Sequence, residues 1–305
     1  MNYIKRLLVI TICLLNVSCT LSYHNVSNPP QAVDYDDSKD IRVALVLSGA
    51  GSKAIAHAGV ISALEKHNIP IDLIVGSSAG SLVGLFYADS KDINKVKNLF
   101  LNTNRSTFLD HSAAYALVST LLFNSAAKLD KFEKFLHSNI KAENFEDLQI
   151  PLVVTGTNII SGHRVIFNSG PVVPAVLSSS SIPGIFEPVR ISDNTLIDGA
   201  VASPVPVMQA KKFNPKTIIA VNATSPSDAI DIYTATDLLY RSYVISYFEL
   251  AKLETSMADI QIVPDLDKYN WLEDFTPEVK EEIFQAGFDA TEKLIHDIKL
   301  KVYRR

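Results

Sequence analysis

The chain has 305 residues and a formal net charge of −5; 47 % of its residues are apolar and 20 % are charged. This apolar content is sufficient for a large buried core. Nucleic-acid binding depends on clustered Lys and Arg that contact phosphates, and no dense basic run follows the first few residues, so the composition argues against nucleic acid as a partner. The composition is compatible with lipids, esters and ordinary metabolites as substrates or ligands.

Residues 1–19 have the layout of an export signal. Two basic residues precede the apolar run Leu7–Leu15, which is too short to span a bilayer. The sequence Leu15–Cys19 resembles the cleavage box of bacterial lipoproteins, in which the cysteine is lipidated, although Asn16 stands where that box usually has leucine. We therefore expect an exported protein, held at the membrane surface of a bacterial envelope by a lipid on Cys19. Cleavage without lipidation, which gives a secreted or periplasmic protein, and an uncleaved anchor are the alternatives.

The only two cysteines of the chain are Cys13 and Cys19. Both lie in the leader, so the remainder can form no internal disulfide and must rely on its core for stability. Thr20–Asp40 is polar and contains two prolines, which is typical of a tether between a leader and a domain. The expected organisation is a leader over residues 1–19, a linker over residues 20–40 and one domain over residues 41–305.

Strand and helix patterns alternate at the start of this domain. Ile41–Leu47 and Ile71–Gly76 are short, apolar and rich in branched residues, as buried strands are. A predicted helix, Lys53–Asn68, lies between them, and another helix runs to about Ala88. This alternation predicts an α/β domain with a mostly parallel sheet and helices on its faces.

Residues 92–148 look helical and more polar, and we expect them to form a lid or a side layer. The amphipathic pattern of Pro277–Lys299 predicts a long final helix. Between these segments, further strands are predicted at Pro151–Asn158, His163–Asn168, Thr217–Asn222 and Asp259–Val263, of which the first two are expected to pair antiparallel.

Gly76–Gly80 fits the G-x-S-x-G pattern of a nucleophile elbow, with Ser78 at its centre. The pattern lies between a predicted strand and a predicted helix, where a sharp turn holds a serine hydroxyl out at the end of a sheet, and Gly76 and Gly80 let the two elements pass closely. The N-terminus of the following helix would favour negative charge on a bound substrate oxygen. An ordinary strand–turn–helix connection with small residues is the alternative.

A second small-residue loop, Ser48–Lys53, also connects a predicted strand to a helix. The spacings of a Walker phosphate loop and of a dinucleotide fingerprint are both absent from it. Consecutive small residues expose backbone N–H groups that can bind an anion, so Gly49, Ala50 and Gly51 suit an oxyanion hole for Ser78. Lys53 is either a helpful positive charge at this site or a solvated residue of the first helical turn.

A catalytic serine needs a general base. His296 lies in an amphipathic helix among charged residues and is expected at the surface, whereas His57 is expected to be a packed helix residue. Asp198 follows a strand-like run and is flanked by apolar and tiny residues, so partial desolvation would raise its pKa and strengthen it as a base. An Asx turn at a strand end is the alternative for Asp198.

The order of the loop Gly49–Lys53, the elbow Gly76–Gly80 and the motif Asp198–Ala200 resembles that of the patatin-like phospholipases, a family of Ser–Asp dyad acyl hydrolases. Ala175–Val189 also resembles the segment that these proteins carry before their aspartate, and the similarity extends over about residues 41–290, Trp271 included. The resemblance implies a three-layer fold and assigns each motif a role. Ser78 would be the nucleophile, Asp198 the base and Gly49, Ala50 and Gly51 the oxyanion loop, with Lys53, Gly76, Gly80 and Gly199 as supporting motif residues.

Ala50 and Ala54 occupy positions where the family usually has glycine. If Ala50 requires a positive φ, the oxyanion loop would be distorted, because alanine disfavours that conformation. No cofactor or metal is implied, since both cysteines lie in the leader and the histidines form no spaced cluster.

The resulting expectation is a hydrolase of phospholipid or lysophospholipid acyl esters. The apolar helices Phe108–Phe123 and Leu238–Leu253 could line an acyl-chain groove, although apolar helix faces more often belong to the core. A thioesterase or small-ester esterase on the same site is one alternative. A lipid-binding envelope protein with a catalytically weak site is the other.

Overall fold

A computed structural model describes residues 22–33, 40–108, 127–224 and 233–303. The leader and its cleavage box, residues 1–19, lie outside these ranges. The predictions of export and of lipidation at Cys19 therefore stay predictions.

Within the described ranges, nine strands form one mixed sheet in the order β1-β6-β7-β4-β3-β2-β8-β9, with β5 also paired to β4. The central pairs β2–β3, β2–β8, β3–β4 and β8–β9 are parallel, whereas β4–β5, β4–β7 and β6–β7 are antiparallel. The strands are β1 His24–Asn25, β2 Val43–Leu47, β3 Leu73–Ser77, β4 Leu152–Asn158, β5 Arg164–Phe167, β6 Val189–Ile191, β7 Asn194–Asp198, β8 Thr217–Val221 and β9 Ile260–Ile262.

Helices follow most of these strands and cover the sheet. They are α1 Ile55–Lys66, α2 Ala79–Ser90, α3 Ile93–Asn102, α4 Arg105–Phe108, α5 Asp130–Asn139, α6 Val172–Ser179, α7 Val207–Lys211, α8 Ala235–Thr255 and α9 Pro277–Tyr303. None of the helices in the described part of the chain is both long enough and apolar enough to cross a membrane.

The core lies on both faces of the sheet, because successive strand side chains alternate between them. All five residues of β2 are buried. Val43, Leu45 and Leu47 belong to the larger apolar cluster, together with residues of α1, α2 and α9, whereas Ala44 and Val46 belong to the smaller cluster beside α7. A continuously apolar strand is expected for a sheet covered on both sides. The predicted three-layer α/β fold with a mostly parallel sheet is confirmed.

Two segments differ from the prediction in detail. The helix predicted from Lys53 begins with a 3₁₀ turn, Gly51–Ala54, before α1 starts. Part of the predicted linker is packed on the domain: β1 pairs parallel with β6, and Gln31 bridges to Ser169. The strand β1 is only two residues long, so local sequence carries little signal for it.

The described part of residues 92–148 forms a side layer rather than a free lid. Phe100 of α3 and both Phe132 and Leu136 of α5 are buried in the larger apolar cluster. Residues 109–126 lie outside the described ranges. The predicted antiparallel pair after residue 150 is present as β4 and β5, and the predicted final helix is α9.

Candidate active site

Ser78 stands on a sharp turn between β3 and α2. Its backbone has φ 52° and ψ −125°, a conformation that is costly for a residue with a Cβ. The turn is close to its neighbours: a Cβ on Gly80 would lie 2.2 Å from the carbonyl oxygen of Leu47, so this position requires glycine. The turn predicted from Gly76–Gly80 therefore has the strained strand-to-helix geometry of a nucleophile elbow.

The register of the sheet brings Ser78 to Asp198 across 120 residues of sequence. Ser77, the last residue of β3, pairs with Thr155 of β4, and the next β4 residue, Gly156, pairs with Asp198 of β7. Because β7 pairs only with the last three residues of β4, Gly156–Asn158, its final residue lies at the level of the elbow. The Ser78 Oγ donates a hydrogen bond of 2.6 Å to Asp198 Oδ2.

Asp198 is 4 % exposed, and burial raises the pKa of its carboxyl group to about 7. Burial is the largest effect, because removal of water penalises the charged form. The hydrogen bonds from Ser78 and from the backbone N–H of Ala200 act in the opposite direction. The Ala200 N–H lies 2.8 Å from Oδ1, so it fixes the carboxylate and leaves Oδ2 for the serine. Asp198 thus makes the Asx-turn contact that was its alternative role and also the contact with Ser78.

The segment Ala175–Val189 holds the backbones of both residues. The N–H of Ser78 donates to Ser179 Oγ at 2.9 Å, and the N–H of Asp198 donates to the carbonyl oxygen of Ser181 at 2.9 Å. The sequence carried only a resemblance for this segment. Its structural role could not be derived from the sequence, because consecutive serines in a helix end give no indication of which hydroxyl faces another loop.

The glycine loop lies beside Ser78. Ala50 has φ −149°, which is not the positive φ that favours glycine, and Ala54 is in the ordinary helical region. The positive φ of this loop falls instead on Gly51, at 54°, where an added Cβ would lie 2.4 Å from the carbonyl oxygen of Trp271. Neither alanine at a position where the family usually has glycine therefore needs a positive φ.

The three predicted oxyanion residues differ in what their amides contact. The N–H of Gly49 donates to the carbonyl oxygen of Pro204 at 2.9 Å. Within the described ranges, no backbone oxygen accepts from the N–H of Ala50 or of Gly51. All three residues line the cavity that contains Ser78, so the last two amides are the ones available to a ligand there.

A buried carboxylate connects the loop to α8. Glu254 is 1 % exposed; it accepts from Ser203 Oγ at 2.8 Å and from the N–H of Val205 at 3.0 Å. Arg164 lies 3.2 Å from the same carboxylate. Glu254 thereby fixes the turn whose Pro204 carbonyl accepts from Gly49, which makes α8 part of the support of the glycine loop.

The next three residues are the two histidines considered as bases, His57 and His296, and the lysine of the glycine loop, Lys53. His57 is fully buried, and its Nε2 lies 2.9 Å from the Ser48 carbonyl oxygen, which can only accept, so Nε2 carries the proton. Burial lowers the pKa of His57 to about 4, which keeps it neutral. His296 is exposed on α9. Both predictions for the histidines are confirmed. Lys53 is buried and lines the cavity at Ser78, so it is not a solvated residue.

Two cavities meet at Ser78, and Gly51, Ile182 and Trp271 line both of them. The smaller cavity, of about 570 Å³, contains Asp198 and is walled by α8. The larger cavity, of about 1000 Å³, extends between α2, α3 and α5. The main residues of the smaller wall are Tyr243, Val244, Tyr247 and Phe248, and those of the larger are Leu82, Phe100, Phe108, Phe132, Ile185 and Phe186.

Each of the two helices predicted to line an acyl groove has residues in the lining of one cavity. Phe108 lines the larger cavity, and residues 109–123 of that prediction lie outside the described ranges. From Leu238–Leu253, one turn of α8 lines the smaller cavity. Trp271 was a residue with no assigned role in the sequence. It lines both cavities; its carbonyl oxygen accepts from the N–H of Ser52 at 2.8 Å, and its Nε1 donates to Tyr240.

One grouping of potential metal ligands occurs among the described residues, away from these cavities. His24, Asp130 and Glu133 bring ligand atoms within 4.8 Å of one another where β1 meets α5. None of the three lines either cavity at Ser78.

A family model described as patatin-like phospholipase matches residues 45–211. Lysophospholipase NTE1 of Debaryomyces hansenii is 36 % identical over 189 residues, which are 61 % of this chain and 12 % of that protein. Patatin-like phospholipase domain-containing protein 6 of Mus musculus is 28 % identical over 228 residues, or 73 % of this chain and 16 % of that protein. The chain thus spans only a small part of the length of these relatives.

Among solved structures, VipD from Legionella pneumophila superposes with a TM-score of 0.56 at 15 % sequence identity. The match covers 91 % of this chain and 71 % of VipD. At this identity the likeness concerns the fold alone, and it agrees with the three-layer arrangement described above.

Replacement of Asp198 by asparagine should stabilise the fold at alkaline pH. Between about pH 4 and pH 7 the folded protein retains a proton on Asp198 that the unfolded chain has released, so the contribution of this group to stability falls as the pH rises through that window. Above pH 7 the buried carboxylate costs up to about 4 kcal/mol, which neutral asparagine avoids. Urea unfolding should show Asp198→Asn more stable than the wild type at pH 8, with a difference that shrinks toward pH 4.

The exposed Asp193→Asn exchange removes the same charge from a turn and serves as the control. A difference between Asp198→Asn and the wild type that does not change with pH would contradict the assignment of a desolvated carboxyl group at position 198.

Proposed function

Because this chain belongs to the patatin-like phospholipase family, we propose that it is a serine acyl hydrolase that cleaves fatty-acyl esters of lysophospholipids or phospholipids. The observation that carries the proposal is the 2.6 Å hydrogen bond from Ser78 Oγ to the buried carboxylate of Asp198. A serine hydroxyl is a weak nucleophile on its own, and an adjacent base within hydrogen-bond distance activates it.

In the first step, Asp198 Oδ2 accepts the Ser78 proton while Oγ attacks the ester carbonyl carbon. The pKa of about 7 is favourable for this task, because such a carboxylate binds a proton more strongly than an ordinary one and is still largely ionised at slightly alkaline pH. The tetrahedral intermediate then collapses, the protonated Asp198 returns the proton to the leaving alcohol, and the acyl group stays on Ser78.

Negative charge that develops on the carbonyl oxygen needs hydrogen-bond donors in fixed positions. The N–H groups of Ala50 and Gly51 supply them in this proposal. Gly49 has its amide engaged by Pro204, so we assign it to holding the loop in place rather than to donating to the oxyanion. The N-terminus of α2, which begins directly after Ser78, adds a favourable dipole.

In the second step, water replaces the alcohol. Asp198 takes a proton from the water molecule, and the resulting hydroxide attacks the acyl carbon. The fatty acid leaves as the bond to Ser78 breaks, and the proton returns from Asp198 to the serine oxygen. The single carboxylate thus serves as base and acid in turn.

The acyl chain is assigned to the larger cavity. This cavity starts at Ser78, and the phenylalanines of α3 and α5 give it an apolar wall. Phe108 contacts Phe132 edge-on, with ring centroids 4.8 Å apart, and this contact forms part of the apolar wall. An apolar chain that enters such a space leaves water, and this burial favours binding of longer acyl groups.

The alternative of a catalytically weak lipid-binding protein was based on Ala50 and Ala54. Neither residue has the positive φ that would require glycine, so this particular ground for a weak site is absent. A thioesterase or small-ester esterase would use the same dyad, and a panel of oxygen and thioester substrates with short and long acyl chains separates these activities.

Exchange of Ser78 for alanine tests the proposal. A fluorophosphonate probe should label the wild-type protein at Ser78 and should not label Ser78→Ala, because only an activated serine reacts. Hydrolysis of palmitoyl lysophosphatidylcholine should fall by about 10³-fold or more, as expected for loss of a nucleophile. Thermal unfolding should change little.

Ser180→Ala is the matched control, since Ser180 is another buried serine of the larger cavity and should leave labelling intact. Undiminished hydrolysis by Ser78→Ala, or labelling of a different serine in the wild type, would contradict the assignment of the nucleophile.

Exchange of Ile185 for tryptophan tests the position of the acyl chain. The larger side chain narrows the larger cavity, so kcat/KM for a sixteen-carbon nitrophenyl ester should fall about tenfold relative to that for a four-carbon ester. Phe248→Trp places the same side chain in the wall of the smaller cavity and should leave this ratio unchanged. If Phe248→Trp changes this ratio equally, or if Ile185→Trp does not change it, the acyl chain does not bind in the larger cavity.

A further inference from the structure

One side of α8 presents apolar residues to the solvent. Leu238, Leu239 and Ile245 are 56 %, 72 % and 51 % exposed. Helical spacing places them on one side of the helix together with a half-exposed tyrosine and two serines. This surface, the outer face of α8, consists of Leu238, Leu239, Ser242, Tyr243, Ile245 and Ser246.

The two serines of the outer face present no free hydroxyl hydrogen to the solvent. Ser242 Oγ donates to the carbonyl oxygen of Leu238 at 2.8 Å, and Ser246 Oγ donates to that of Ser242 at 3.1 Å. A serine in a helix can donate in this way to the carbonyl oxygen four residues earlier. Between Leu238 and Ser246 the one charged residue is Arg241, which is partly buried at the edge of this face. The outer face is therefore largely apolar from Leu238 to Ser246, and the exposed Glu249, one turn after Ile245, ends it.

The outer face is continuous with the mouth of the catalytic site. Tyr243 is 40 % exposed on this face and also lines the smaller cavity, in which Ser78 and Asp198 lie. One turn further along α8, Tyr247 lines the same cavity, and the two tyrosine rings lie 5.9 Å apart. Tyrosine, with an apolar ring and a polar tip, is typical of the boundary between a lipid layer and water.

We propose that the outer face of α8 docks on the surface of a phospholipid bilayer and sets the mouth of the smaller cavity against the lipids. This inference rests on the proposed function, because a lipid ester must leave its aggregate to reach Ser78. A helix that lies in the interface buries its apolar side among the acyl chains and needs no membrane-spanning segment.

The size of the outer face favours lipid over a second copy of the chain. Its exposed apolar side chains provide on the order of 400 Å², a patch size often associated with function, whereas a stable dimer buries about 800 Å² on each partner. A lipid surface accepts a narrow apolar strip, because lipid tails adapt to its shape.

The double variant Leu239→Glu/Ile245→Glu tests the inference. Neither residue lines a cavity at Ser78. With neutral phosphatidylcholine vesicles, cosedimentation of the variant should fall at least about tenfold, because two carboxylates must enter the interface. Hydrolysis of vesicle-bound lysophosphatidylcholine should fall in parallel, while kcat/KM for soluble nitrophenyl butyrate should stay within about twofold of the wild type.

The control variant Ile159→Glu/Ile160→Glu adds the same charges to an apolar pair that is also exposed, at the turn between β4 and β5. It should bind vesicles like the wild type. The conservative exchange Leu239→Ile/Ile245→Leu should retain binding as well.

The inference is overturned if the wild type does not bind the vesicles, if Leu239→Glu/Ile245→Glu binds as well as the wild type, or if the control loses binding equally. Sedimentation analysis of the wild type as a dimer that this variant dissociates would assign the face to a second copy and would also overturn it. Vesicle binding is measured in the Ser78→Ala background too. If the wild type binds vesicles but does not hydrolyse the lipid ester, the proposed function is refuted and the docking inference is not.

Discussion

The hydrogen bond between Ser78 and the buried carboxylate of Asp198 is the interaction on which the chemistry depends. Neither partner is exposed by more than a few per cent, so the carboxylate keeps a raised pKa and the hydroxyl has a single strong acceptor. The strand β4 brings the partners together. It pairs parallel with β3, which ends at the elbow of Ser78, and antiparallel with β7, which ends at Asp198. A shift of either register by one residue would turn the side chain to the opposite face of the sheet and separate the pair.

The surrounding structure holds the site in a conformation that it would not adopt alone. The backbone of Ser78 lies in a region that costs about 1 to 3 kcal/mol, and the buried carboxylate adds a further cost. Hydrogen bonds that the N–H groups of Ser78 and Asp198 donate to Ser179 and Ser181, together with the packing at Gly80, maintain this geometry. Stability sacrificed at a reactive site in this way is common in enzymes, because a relaxed site would lose the alignment of its groups.

The motifs with strong local rules were predictable from sequence. A strand, a glycine-flanked serine and a helix specify an elbow, and an aspartate before glycine indicated the base. Contacts between distant segments were not predictable: Ala175–Val189 carries no pattern that specifies its bonds to Ser78, and only the structure shows that Gly51 rather than Ala50 takes the positive φ. The exposure of the outer face of α8 was also not predictable, because an apolar helix pattern does not reveal which side lacks a protein partner.

The pH dependence of kcat/KM for a soluble nitrophenyl ester tests the central claim most directly. Asp198 must be ionised to accept the Ser78 proton, so the account predicts a single ionisation near pH 7, with kcat/KM falling about tenfold for each pH unit below it and levelling above it. An acid limb near pH 4, or a profile that is flat from pH 5 to pH 8, would contradict a desolvated Asp198 as the base that activates Ser78.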